Sequence, residues 1–65
     1  MKWAAQQRQN FIRERVNERG TIGRSEIMKE FEISIAQASQ DITAFREKFP
    51  GIIEYDFSKK TWVKK

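Results

Sequence analysis

The sequence contains no cysteine and no histidine. Disulfide cross-links are therefore excluded, as are the Cys/His sets that hold structural zinc. Thiolate nucleophiles and histidine-based triads are excluded with them. No stretch approaches the ~20 consecutive apolar residues of a membrane span. One lysine followed by polar residues at the start does not make a secretory signal. One proline and three glycines are too few for a linker. These absences predict a soluble, cytoplasmic, non-enzymatic domain with no metal, no cofactor and no small-molecule ligand.

Within 65 residues there is room for one domain, which buries only about 60% of its unfolded surface. Stability must come from an apolar core, with or without a partner chain. Trp3, Phe11, Phe31, Phe45, Phe49, Tyr55, Phe57 and Trp62 are the large side chains available for it. Thirteen basic and nine acidic residues give a formal charge of +4. Residues 58–65 carry Lys59, Lys60, Lys64 and Lys65 and no acid. This cluster reads either as a field that attracts polyanions or as a solvated tail.

Gly20, Gly23 and Pro50-Gly51 divide the chain into four segments. In the first, from about Trp3 to Arg19, Ala4, Phe11, Ile12 and Val16 recur at helical spacing, and Gly20 fits the position beyond a helix end. In the second, Thr21-Ile22 is extended. Gly23 then caps a two-turn helix with Glu26 in its first turn and Ile27 and Phe31 on its core face. In the third, Ser34 and Gln37 form an S-x-x-Q capping box. It opens a helix whose apolar stripe is Ala38, Ile42, Phe45 and Phe49 and which ends before Pro50. In the fourth, Ile53, Tyr55 and Phe57 alternate with polar residues as in a strand. Ser58-Lys59-Lys60 makes a hairpin tip, and Thr61-Trp62-Val63 returns. Glu54 and Asp56 fall on the solvated face.

Two helices joined by a short turn, with small Ala38 where they cross against Ile27 and Phe31, are a helix-turn-helix pattern. The following hairpin predicts an α+β winged helix-turn-helix fold. From Ser34 to Phe45 the second helix of the motif carries one charge, Asp41. Its remaining non-core positions are Ile35, Ala36, Gln37, Ser39, Gln40 and Thr43. Gln can bond bidentately to adenine, Ser and Thr to several base edges, and an apolar side chain to a thymine methyl. The same residues are also tolerable on an ordinary surface, and Gln37 can be spent on its capping box. Asp41 falls close to the core side and would repel phosphate. It reads as structural, accepting from Arg8, Arg24 or backbone amides. Phosphate contacts, which fix position without reading sequence, are expected from Arg24 and Ser25 at the first helix start. Others are expected from Arg46 and Lys48 at the far end of the second helix, and from Ser58, Lys59 and Lys60 at the hairpin tip.

The run from Arg24 to Ile42 resembles the DeoR-type winged helix. It most resembles the N-terminal domain of bacterial WYL-domain repressors associated with phage-defence islands, with their F-x-[IV]-S-x-x-Q-A-S-x-D-[LI] pattern. A second stretch, P-x-x-[LI]-x-Y-D-x-x-x-K, is met by Pro50, Ile53, Tyr55, Asp56 and Lys60. The resemblance covers roughly residues 8–63. It implies a nucleoid-associated homodimer that represses transcription from an inverted-repeat operator on double-stranded DNA. Base contacts are then implied at Ser34, Gln37, Ser39 and Gln40, with Lys59 and Lys60 of the wing on the backbone. Those repressors continue into sensing and dimerising domains, so the chain is expected to be an excised domain or a minimal phage or plasmid protein. Gly23 stands where their cap is more often Asn or Thr. Two other readings remain: a winged helix that binds protein, and an architectural or recombination-directionality factor. Trp3 is expected to cover Trp62 or a second subunit.

Overall fold

A computed structural model describes residues 3–65. Three helices, α1 (Trp3–Arg19), α2 (Arg24–Phe31) and α3 (Ile35–Lys48), pack with three strands, β1 (Thr21–Ile22), β2 (Ile53–Asp56) and β3 (Thr61–Lys64). The strands form one antiparallel sheet in the order β1-β3-β2. The expected α+β winged helix-turn-helix arrangement is therefore present. The two-residue extended piece closes the sheet on β3, with Thr21 opposite Val63 and Ile22 opposite Trp62.

The core consists of Ile12, Val16, Ile22, Ile27, Ala38, Ile42, Phe45 and Ile53. Two of these side chains come from α1, three from α3 and one each from β1, α2 and β2, so that five of the six elements share one core, as a small domain requires. Ala38 is fully buried in the same cluster as Ile27. A small residue there lets two backbones approach.

α1 buries Gln9, Ile12 and Val16, a stripe with i, i+3, i+7 spacing. The expected face is corrected at two positions. Ala4 is exposed. Phe11 lies at the core margin, where its ring meets Phe31 edge-on at 5.4 Å. The polar Gln9 takes an inner position because its amide Nε2 donates to the Asp41 carbonyl at 2.9 Å. Gly20 ends the helix with φ 74° and donates its N–H to the Val16 carbonyl at 2.9 Å, a left-handed cap that glycine adopts without steric cost.

Gly23 begins α2 in extended conformation, and its N–H donates to Glu26 Oε2 at 2.9 Å. A Cβ on this residue would lie 3.3 Å from Thr61 Oγ1. A side chain at this cap would therefore crowd the Thr61 hydroxyl, which is itself held by the Ile22 carbonyl at 3.0 Å. The turn between α2 and α3 passes through Glu32 in left-handed conformation, φ 52° and ψ 48°. Ser34 caps α3, its Oγ accepting the Gln37 N–H at 3.1 Å. Phe49 leaves helical geometry one residue before Pro50, where proline disfavours the α region.

Of the eight aromatic side chains expected in the core, Phe45 alone belongs to it; Phe11, Phe31, Phe49 and Trp62 pack against its margin, Tyr55 is half-buried, and two are exposed. Trp3 is 77% exposed and Phe57 is 83% exposed. Trp3 therefore does not cover Trp62, which packs instead against Tyr55 at 5.2 Å between ring centroids. The expected strand stops at Asp56 rather than running through Phe57. The Asp56 carboxylate accepts the N–H groups of Ser58 at 2.9 Å and Lys59 at 3.0 Å. Its carbonyl accepts the Lys60 N–H at 2.7 Å. These bonds close the turn one residue early, so that Phe57 lies in the turn with its ring edge-on to Tyr55 at 4.9 Å between centroids. Asp56 is consequently half-buried turn structure, not a freely solvated carboxylate.

Candidate nucleic-acid interface

Ser34, Ile35, Ala36, Gln40 and Thr43 are exposed, and Gln37 and Ser39 are half-buried. Ile35 is 54% exposed, so it is a surface side chain. Thr43 Oγ1 donates to the Ser39 carbonyl at 3.0 Å.

Asp41 is 5% exposed and paired. Its Oδ2 accepts from Arg8 Nε at 2.8 Å. Between the two arginines expected as partners, the structure selects Arg8 of α1. Its Oδ1 accepts from Gln37 Nε2 at 3.1 Å. The Gln37 side chain is thus not spent on the capping box, of which only the Ser34 half forms. A Gln/Asp pair four residues apart meets on one helix face, so this bond was readable from spacing.

Two clefts bring six of the candidate residues together. One, of about 350 Å³, is lined by Arg24, Ser25, Ile35, Lys60 and Thr61, among others. It joins the start of α2, the start of α3 and the wing. The second, of about 220 Å³, lies between α3 and the sheet, lined by Arg24, Ser39, Ile42, Thr43, Tyr55 and Trp62. Arg24 borders both. Ser34, Gln37, Gln40, Arg46, Lys48, Ser58 and Lys59 line neither. Arg46 is exposed and its guanidinium lies 4.6 Å from the centre of the Trp62 ring, a distance at which the ring face attracts a cation. Sequence reasoning did not place Tyr55 and Trp62 at this site. They are direct cross-strand partners in the β2–β3 register, and only that register puts both beside α3.

A helix-turn-helix with a sheet-borne wing, an outward helix face almost free of charge and cations on either side of it defines a winged helix-turn-helix domain. The chain belongs to the BrxR transcriptional regulator winged helix-turn-helix domain family, whose profile matches residues 4–65. It is 34% identical over 61 residues to the DNA-binding transcriptional repressor CapW of Escherichia coli (strain KTE188), covering 94% of this chain and 20% of that protein. To the repressor of the same name from Stenotrophomonas maltophilia it is 32% identical over 63 residues, 97% of this chain and 21% of that one. The chain thus spans about a fifth of the length of these relatives.

Proposed function

We propose that this chain is the sequence-specific, double-stranded DNA-binding domain of a transcriptional repressor, with α3 entering the major groove. The observation that carries this reading is the face of α3. From Ser34 to Phe45 its single charge, Asp41, is buried against Arg8. The exposed remainder presents amide, hydroxyl and small apolar groups. Such a face suits base edges, and family membership and the CapW relatives support it. Ser34, Ile35, Gln37, Ser39, Gln40 and Thr43 are the proposed base contacts. Arg24, Ser25, Arg46, Ser58, Lys59 and Lys60 are the proposed phosphate contacts. A protein-binding face would centre on aromatic or aliphatic anchors, and among the exposed residues of α3 Ile35 alone is apolar and large.

The domain acts by binding, as a homodimer on an inverted repeat, in the cytoplasm. Among the described residues no helix is long and apolar enough to cross a membrane. Selection of bound sequences from a random duplex pool tests the reading. A consensus with two inverted half-sites is expected. Retention of no sequence over the starting pool, at low salt, removes it.

A further inference from the structure

Gln37 does not hang freely from α3. Its Nε2 donates to Asp41 Oδ1 at 3.1 Å, while Asp41 Oδ2 accepts from Arg8 Nε at 2.8 Å. The carbonyl of Asp41 is also held by Gln9 Nε2 at 2.9 Å. Asp41 is thus clamped by two side chains of α1 and has little freedom to move. A carboxylate offers acceptors only. The amide of Gln37 must therefore turn its nitrogen inward to Asp41, and its oxygen cannot take that place. An amide whose two ends are chemically different is held in one of its two orientations.

We infer that Arg8 and Asp41 are positioning residues for base readout, fixing the Gln37 amide with Oε1 outward so that it selects a base edge bearing a hydrogen-bond donor. This rests on the reading that α3 enters the major groove. Donors on major-groove edges belong to adenine (N6) and cytosine (N4), whereas guanine O6 and thymine O4 accept. Adenine N7 can in addition accept the second N–H of the same amide. Specificity at this base pair is therefore set in part from α1, a helix outside the helix-turn-helix pair.

Asp41→Asn tests the chain of reasoning. Arg8 Nε remains a donor, so the new amide must face it with its oxygen. Its nitrogen then faces Gln37, which must accept and so turn its own oxygen inward. The outward group of Gln37 becomes N–H. In duplex-pool selection with the whole chain, the parent is expected to prefer adenine or cytosine at one base pair of each half-site by about tenfold. Asp41→Asn is expected to reverse that preference toward guanine or thymine at the same base pair and at no other. Arg8→Lys, which keeps a cationic donor on Asp41, is expected to retain the parental choice. A merely structural role for Asp41 would weaken selection at several positions without reversing any. That result, or an unchanged preference, overturns the inference. If Asp41→Asn does not fold, Gln37→Met decides. It leaves the Arg8–Asp41 pair intact and is expected to erase the preference at that base pair alone, and an undiminished preference there overturns the inference. A parent that selects no sequence would instead sink the DNA-binding reading itself.

Discussion

Asp41 joins α1 to α3 through an ion pair with side chains 15% and 6% exposed on Arg8 and Asp41 respectively. Removing one partner of such a pair strands the other charge away from water. Asp41→Ala is expected to lower stability by about 3 kcal/mol, read as a lower urea midpoint. A domain of this size rarely has more than about 3–5 kcal/mol in total, so the variant should be substantially unfolded at room temperature. Glu32 presents the opposite case. Its left-handed φ of 52° costs a residue with a Cβ about 1 kcal/mol or more. Glu32→Gly relieves that strain but adds freedom to the unfolded chain. A net gain of about 0.5 kcal/mol is expected, seen as a higher midpoint, and a loss would show that the Glu32 side chain does something its conformation does not reveal.

At the scale of elements, the wing separates stability from binding. Lys60 also lies in the left-handed region, with φ 56°, at the last position of the turn. It is exposed and lines the cleft shared with Arg24 and Ser25. Lys60→Gly should therefore raise the urea midpoint while weakening binding to every DNA sequence alike. A variant that lost both would refute the phosphate role assigned to Lys60, because binding would then have fallen with the fold. The elements themselves were largely legible in the sequence. Gly20, the Ser34 cap and Pro50 mark boundaries that depend on local chemistry, and Ile27, Ala38, Ile42 and Phe45 follow helical spacing. What escaped depends on tertiary contact. Gln9 is polar, so hydropathy puts it outside, and only its bond to the Asp41 carbonyl brings it in. Phe57 fits the alternation of a strand, but the Asp56 carboxylate closes the turn before it. Within the candidate site, the outward residues of α3 were readable one by one. The seat of Arg46 on Trp62 was not, because it needs the strand register.

Across the whole molecule, the four lysines of residues 59–65 look like one cluster in sequence, and the fold divides them. Lys59 and Lys60 sit in the turn at the wing tip, while Lys64 ends β3 opposite Ile53. The N–H of Lys64 donates to the Gly20 carbonyl at 2.7 Å, and that of Lys65 to the Ile52 carbonyl at 2.9 Å. The three residue steps of β3, from Thr61 to Lys64, alone span about 10 Å. Of the four lysines, Lys60 lines the cleft that holds Arg24 and Ser25, and Lys59 precedes it in the same turn. The long-range field of the protein draws on all four charges, but counterion release counts those that meet phosphate. With Arg24, Arg46, Lys59 and Lys60 as the neutralising set, log K should fall against log[salt] with a slope of about −3.6 per domain. Lys60→Ala should make that slope shallower by about 1, whereas Lys64→Ala should leave it unchanged. Equal effects from the two substitutions would mean that the lysines act as an undifferentiated positive tail, and that the wing has no fixed place on the duplex.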